Sequence, residues 1–198
     1  MNDVTIQLGL PATLRPAAAR LYWQAFGGKL GLVMGPEPRA LRYLEQVINP
    51  DQAFVALNPE GELVGIAGFK TPEGSFAGGS KSEMVAHYGW IGGWWRMVLL
   101  TQLSREIDNE RFLLDGICVD PKQRGKGYGS ALMQAICDEA RRRGYAAVRL
   151  DVINTNWRAK ALYSRLGFQQ EKSHRIVLLR YAFGFASSIT MVRRSTPP

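Results

Sequence analysis

The hydrophobic residues of this 198-residue chain follow two periods, one of two residues and one of three to four. Apolar residues alternate with polar ones over residues 4–8, which predicts a first strand. Longer apolar runs predict four more strands, at residues 54–57, 63–69, 112–119 and 146–153. Two final strands are predicted near residues 173–179 and 187–193.

Helical spacing separates these strands. Residues 16–26 and 39–47 are predicted helices, ended by Gly27-Gly28 and by Asn49-Pro50. The turn sequence Asn58-Pro59-Glu60-Gly61 joins the second and third strands into a hairpin. This order of elements predicts an α+β fold, with a central mixed and mostly antiparallel sheet flanked by helices.

Residues 71–111 form an unusually long connection between the third and fourth strands. The first part, 74–82, is rich in Gly and Ser and is predicted to be a mobile loop. The rest, 83–105, is predicted to be helical with an interruption near Gly92-Gly93. Core packing is the favoured interpretation of its aromatic residues, and an acceptor pocket or a homodimer surface is the alternative. These residues are Tyr88, Trp90, Trp94 and Trp95.

The composition, 46% hydrophobic and 21% charged, is ordinary for a soluble globular protein and predicts a single domain over residues 1–198. Cys118 and Cys137 lack C-x-x-C spacing and histidine neighbours, so we expect two buried thiols and no metal site. We find no secretory signal and no apolar run of the ~20 residues that span a bilayer. The expectation is therefore a cytoplasmic protein without a membrane partner.

The formal charge of +8 implies attraction to a polyanion. Part of this charge is the run Arg141-Arg142-Arg143, which suits a helix C-terminus. A nucleic acid is the weaker interpretation, because the basic residues are dispersed and the aromatic ones cluster elsewhere. The like charge also disfavours a polycationic substrate, although a local patch can override the net value.

The most informative motif is Arg124-Gly125-Lys126-Gly127-Tyr128-Gly129, which lies between a predicted strand and a predicted helix that ends at Gly144. Glycines let the backbone turn closely, so that successive N–H groups converge on phosphate oxygens at the positive end of a helix. A purely steric strand-to-helix turn has the same glycines. The spacing fits neither the Walker motif nor the dinucleotide fingerprint.

With Arg124, Gly127 and Gly129, the motif resembles the R/Q-x-x-G-x-G/A loop of the GNAT family of N-acetyltransferases. A second block is similar to a later segment of that family, N-x-x-A-x-x-L-Y followed by G-F. This block contains Asn156, Ala159, Leu162, Tyr163, Gly167 and Phe168. On a helix Asn156 and Tyr163 share one face, which suits one cleft, although an N-cap and a core tyrosine are the commoner fates of such residues.

The resemblance implies the GNAT fold with a helical insertion at 71–111. It also implies an N-acetyltransferase in which an amine, a small molecule or a peptide, attacks acetyl-CoA directly through a tetrahedral intermediate. In the family the strand end, here Ile117, Cys118 and Val119, holds the pantetheine arm, which Asn156 also contacts. The residues implied for the diphosphate are Arg124, Gly125, Lys126, Gly127, Tyr128, Gly129 and Ser130.

Tyr163 corresponds to the family tyrosine that protonates, or hydrogen-bonds to, the sulfur of CoA. Asp151 lies where some relatives carry a glutamate base, but pairing with Arg149 or Arg158 is an equal alternative. Asp115 and Glu83 remain alternatives that act through water.

Cys118 invites an acyl-enzyme mechanism, which is disfavoured because no histidine is near it in sequence. The alternative function is a non-catalytic module that binds or senses acyl-CoA.

Overall fold

A computed structural model of the protein describes residues 4–103, 111–175 and 187–194. The strands are β1 Thr5–Leu8, β2 Ala53–Leu57, β3 Leu63–Thr71, β4 Gly74–Ser75, β5 Arg111–Val119, β6 Ala147–Ile153, β7 Gln169–Arg175 and β8 Ser187–Arg194. The longer helices are α1 Arg15–Met34, α2 Glu37–Val47, α3 Lys81–Tyr88, α4 Trp90–Leu103, α5 Tyr128–Arg142 and α6 Trp157–Arg165.

The strands form one sheet in the order β1-β2-β3-β5-β6-β8-β7, and β4 pairs with β3. Among the described strands β5 and β6 run parallel, and the other paired neighbours are antiparallel. The predicted mixed, mostly antiparallel sheet is therefore confirmed. The hairpin is confirmed too, since Leu57 pairs with Leu63 and the Gly61 N–H donates to the Asn58 carbonyl at 2.9 Å.

Helices cover both faces of the sheet. On one face, α5 buries Leu132, Met133 and Ile136 against strand residues such as Phe112 and Val148. On the other face, α1 and α2 pack against β2, β3 and β5. The predicted helix from Tyr128 and its stop at Gly144 are confirmed, as is the predicted end of α2 at Val47.

Two strands separate where they run in parallel. The ladder between β5 and β6 pairs Arg111 with Ala147 and ends where Leu113 pairs with Arg149. On its other side β5 carries a bulge, because β3 pairs Phe69 with Leu114 and Gly68 with Gly116 and so skips Asp115. Beyond Leu113 the two strands have no paired residues within the described ranges, and a cleft opens between them.

The predicted end of the first helix at Gly27-Gly28 is wrong, because α1 continues to Met34. Each glycine inside a helix costs about 1 kcal/mol relative to alanine. Tertiary packing outweighs this cost, since the last turn buries Val33 and Met34 against α2 and α3. The helix ends at Gly35, where the following proline disfavours a helical conformation.

The loop expected at 74–82 is wrong for its first residues. Gly74 and Ser75 pair with β3 as β4, and Phe76 is 1% exposed. Residues 76–80 form a turn and loop, as predicted, and α3 begins at Lys81, where Ser80 and Glu83 form a capping box. Glu83 therefore caps a helix and does not line the cleft between β5 and β6.

The helical prediction for 83–105 is confirmed where the structure describes it, but the interruption is at Gly89, which has φ 77°. Gly93 instead lets α4 approach α3 closely, because a Cβ there would lie 2.8 Å from Val85 Cα. Arg105 lies outside the described residues. That 71–111 is an insertion relative to the GNAT family stays a prediction.

Core packing is confirmed for two of the four aromatic residues in this segment. Tyr88 is buried and Trp95 packs against the same cluster. It is wrong for Trp90 and Trp94, which are 76% and 65% exposed.

The strand predicted near 173–179 begins earlier, at Gln169, and residues 176–179 lie outside the described ranges. Its sequence, QQEKSHR, is polar because β7 is at the end of the sheet, so it lacks the apolar alternation that marks a half-buried strand. The final strand is confirmed as β8.

Candidate active site

A cleft of about 640 Å³ lies where β5 and β6 separate. Its volume is in the range of small-molecule sites. The walls come from α1, β5, the loop before α5, β6 and α6. The sequence-predicted site residues that line it are Ile117, Cys118, Val119, Arg124, Gly125, Gly127, Tyr128, Gly129, Ser130, Asp151, Asn156 and Tyr163. Lys126 does not line the cleft, and its Nζ donates to Gln123 Oε1 at 2.7 Å.

The glycine loop leads directly into α5. Gly127 is the N-cap of this helix with φ 91°, a left-handed conformation that strains any residue with a Cβ. The first N–H groups of a helix have no acceptor within the helix, and the helix dipole adds positive potential there. A Cβ built on Gly125 or Gly127 would meet nothing within 4 Å, so there is open space beside both glycines. This arrangement suits a phosphate or diphosphate group.

The edge of β5 that faces β6 also opens into the cleft. Ile117 and Val119 pair with Ala67 and Gly65 of β3 on one side. On the other side the ladder to β6 has already ended. Backbone donors and acceptors on this edge therefore face the cleft, where an extended ligand can bind them as an added strand would.

Asn156 and Tyr163 have both of the positions that the sequence suggested: they are an N-cap and a core tyrosine, and they also line one cleft. Asn156 is the N-cap of α6, with its Oδ1 accepting from the Ala159 N–H at 3.2 Å. Tyr163 is 6% exposed and packs near Phe168. Both residues also line the cleft. Burial raises the pKa of Tyr163 to about 12, so its phenol keeps its proton at neutral pH.

Asp115 and Asp151 bring two carboxylates to the cleft. Asp151 Oδ1 accepts from Thr190 Oγ1 at 2.5 Å, and its Oδ2 lies 3.7 Å from Arg149 Nη2. The pairing with Arg149 is thus present. Asp115 Oδ2 accepts from the Ala77 N–H at 3.2 Å. Although its side chain opens to the cleft, surrounding protein atoms raise the pKa of Asp115.

The sequence analysis did not predict one wall of the cleft. Gln24, Ala25 and Phe26 on α1 line it, close to the predicted helix stop that the structure contradicts. Tyr22 stacks beside Phe26, with ring centroids 4.5 Å apart. The two aromatic residues four positions apart were a usable signal, since such pairs share one helix face.

Cys118 is 6% exposed, and burial raises the pKa of its thiol to about 12. A thiol with this pKa is protonated at neutral pH and is a poor nucleophile. Cys137 is also a buried free thiol, so the expectation that both cysteines are buried thiols is confirmed.

Within the described residues, no cluster of three or more His, Cys, Asp or Glu side chains has the geometry of a metal site. The same part of the chain has no helix long and apolar enough to cross a bilayer.

A family model described as Acetyltransferase (GNAT) family matches residues 16–168. Over 60 residues the chain is 43% identical to streptothricin acetyltransferase from Streptomyces lavendulae, covering 30% of this chain and 32% of that protein. Over 57 residues it is 42% identical to the ribosomal protein bS18-alanine N-acetyltransferase of Escherichia coli strain K12, covering 29% of this chain and 38% of that protein. The matches thus span about a third of the length of these curated relatives.

The solved structure of the ribosomal-protein-S18-alanine N-acetyltransferase from Escherichia coli is similar in fold. It aligns with a TM-score of 0.59 at 21% identity, covering 98% of this chain and 96% of that one. At this identity the likeness concerns the fold.

Proposed function

Because this chain belongs to the acetyltransferase (GNAT) family, we propose that it transfers the acetyl group of acetyl-CoA to an amine. The observation that carries the proposal is that one cleft joins the glycine loop of α5, the edge of β5 and Tyr163 of α6. An anion cradle, a strand edge and a buried hydrogen-bond donor are the parts that this reaction needs.

The residues of the cleft fit acetyl-CoA. The open space before Gly125 and Gly127 suits the diphosphate, with Arg124 adding positive charge. Residues 117–119 would hold the pantetheine arm through backbone hydrogen bonds, and Asn156 would contact it from α6. When bound, acetyl-CoA supplies an activated acyl group as a thioester.

The transfer forms one bond and breaks another. The amine nitrogen bonds to the acetyl carbon, the carbon–sulfur bond breaks, and the nitrogen loses a proton while the sulfur leaves as thiolate. Backbone N–H groups of β5 are suited to stabilise the negative charge that develops on the acetyl oxygen.

Tyr163 acts in this proposal by hydrogen-bonding to the departing sulfur. A free thiol has a pKa of ~8.5, whereas the pKa of Tyr163 is about 12. Full proton transfer from the phenol to the thiolate would therefore be uphill by about 4 to 5 kcal/mol. The phenol can instead stabilise the thiolate without ionising. The amine proton passes to a base, and the thiolate takes up a proton from solvent.

Asp151 is the proposed acceptor of the amine proton, either directly or through water. Its carboxylate accepts from Thr190 Oγ1 and lies 3.7 Å from Arg149 Nη2. Asp151 lines the cleft on β6, the strand that precedes Asn156 and α6. Glu83 is not part of this proposal, because it caps α3.

Direct transfer is favoured over an acyl-enzyme by the state of Cys118. The pKa of its buried thiol, about 12, leaves almost no thiolate at neutral pH. Neither histidine is placed to activate it, since neither His87 nor His174 lines the cleft.

The acceptor is either a small amine or a peptide amine. One relative is named for streptothricin, a small molecule, and the other for an alanine of ribosomal protein bS18. The homodimer and the absence of a nucleic-acid partner stay predictions.

The experiment is thiol release from acetyl-CoA across a library of amines, with mass spectrometry of the acetylated product. The proposal expects thiol and acetylated amine in equal amounts for at least one amine. Tight binding of acetyl-CoA with no release for any amine would favour the sensing module instead. Asp51→Asn is a matched control for carboxylate variants, because Asp51 is exposed and does not line the cleft.

A further inference from the structure

We propose that Asp115 selects acceptors that carry a second cationic group beyond the amine that is acetylated. The expected class is alkyl diamines and related amines with a basic tail. This inference rests on the proposed function, because it assigns the acceptor end of the same cleft.

Asp115 owes its position to the bulge in β5. The bulge adds one residue where β3 pairs Gly68 with Gly116 and Phe69 with Leu114. Bulges re-aim side chains near ligand sites, and the Asp115 side chain is exposed to the cleft. The ladder of β5 with β6 has a constant offset, from Arg111 and Ala147 to Leu113 and Arg149. Asp115 and Asp151 each lie two residues beyond the last pair, where the strands separate, and both line the cleft.

The position of Asp115 along β5 suits the tail of an acceptor. Ile117, where the strand edge would hold the acyl end of CoA, lies two residues further along the strand. Two strand residues span ~7 Å. A chain of about five carbons would let one amine reach the acetyl group while a second cation meets Asp115.

The surroundings of Asp115 favour a cation with an alkyl chain. Tyr22 and Phe26 pack with their ring centroids 4.5 Å apart and their planes tilted by 42°, and Phe26, which lines the cleft, lies over Gly116. Aromatic faces attract ammonium groups and pack against methylene groups. The Asp115 carboxylate accepts one hydrogen bond from the Ala77 N–H and is attracted by the positive charge of Lys70 on β3. A carboxylate has about four lone-pair sites, so acceptor capacity for a ligand is left.

The overall charge of the protein argued against a polycationic acceptor. The net charge sets the long-range field, whereas the field at the acceptor end depends on the nearest side chains. Among the described residues, the wall formed by α1 and β5 places Asp115 but no basic side chain on the cleft. Arg124, Arg158 and Arg165 also line the cleft, but they belong to the loop before α5 and to α6.

The test compares three amines of equal length: 1,5-diaminopentane, n-pentylamine and 5-aminopentanoate. For the protein as it is, kcat/KM should fall in that order. Asp115→Asn should lower kcat/KM for the diamine about tenfold, mainly through KM, and change it less than threefold for n-pentylamine. Asp51→Asn should leave all three values unchanged.

Folding is controlled by thermal melting of each variant. Burial raises the pKa of Asp115, so the ionised carboxylate is disfavoured in the folded state, and that cost appears as pH rises through the raised pKa. Asp115→Asn removes this charge and should keep or raise the melting temperature near pH 8. A large drop would mean a structural role and overturn the inference.

Other outcomes separate this inference from the proposed function. Equal losses for the diamine and n-pentylamine would make Asp115 a general base and not a selector. Equal use of all three amines by the unaltered protein would overturn the selection alone. No acetylation of any amine would overturn the proposed function itself.

Discussion

The ring of Phe26 on α1 lies over Gly116 of β5, so that a Cβ at residue 116 would be 3.1 Å from Phe26 Cζ. The next nearest atom, Phe26 Cε2, would be 3.3 Å away. This close approach couples the wall of the cleft formed by α1 to the bulge that contains Asp115. A side chain at residue 116 must therefore move the aromatic ring.

Gly116→Val should raise KM for the acceptor severalfold, because it displaces Phe26 from the acceptor end. Affinity for CoA should stay within twofold, since the atoms nearest to a Cβ at residue 116 belong to Phe26 and Tyr22 and not to the glycine loop at Gly125 and Gly127. Gly116→Ala should have a smaller effect of the same kind. Steady-state kinetics and calorimetry with CoA measure the two quantities, and a parallel loss of both would contradict this division of the cleft.

Gly28→Ala should stabilise the protein by about 0.5 to 1 kcal/mol, because α1 is continuous there and a Cβ would meet nothing within 4 Å. Gly27→Ala is the matched control and should not stabilise the protein. Its Cβ would lie 2.8 Å from Trp23 Cε2. Denaturant unfolding of both variants checks this, and destabilisation by Gly28→Ala would mean that the helix ends where the sequence alone predicts.

Gly129→Asp should weaken CoA binding at least tenfold without lowering the melting temperature. An acidic residue in the first turn of α5 complements the helix dipole but repels a diphosphate. Gly129→Ala is the control for added volume. Its Cβ would make ordinary contact with Leu162 at 3.6 Å, so we expect less than a threefold change. Calorimetry measures the affinity of both variants for CoA. Similar affinities would show that the diphosphate does not bind at this position.

Tyr163→Phe should lower kcat roughly 10-fold to 150-fold, the effect of losing a hydrogen bond of ~1.5 to 3 kcal/mol to a charged group. Affinity for CoA should change little, since the ring is kept. The pH profile of kcat should keep its shape below pH 10, because the pKa of Tyr163 is about 12 and its phenol does not titrate there. If the decrease of kcat at high pH disappeared in the variant, that decrease would instead reflect ionisation of Tyr163.

Much of the architecture could be predicted because local patterns and packing agree. The strand at β5, the glycine loop and α5 follow one another in sequence, so their motif also defines their place in space. Asn156 and Tyr163 are on one helix, where spacing alone brings them to one face.

The remaining features depend on contacts between distant residues. The local sequence does not indicate that α1 continues past Gly28. The helix continues because Val33 is buried against α2 and α3. The bulge at Asp115 is a property of its register with β3, which one strand cannot reveal. The spacing of Tyr22 and Phe26 indicates that they share a helix face, but it does not indicate that they lie near Asp115.

The most direct test of direct acetyl transfer in the cleft is a single-turnover experiment with acetyl-CoA labelled in the acetyl group. The protein is mixed with labelled acetyl-CoA and 1,5-diaminopentane, quenched at successive times, and separated into protein, amine and thiol fractions. Direct transfer predicts that label enters the amine at the rate at which thiol appears, with none on the protein, and that Cys118→Ala behaves alike. Label that accumulates first on the protein, or thiol release without acetylated amine, would contradict it.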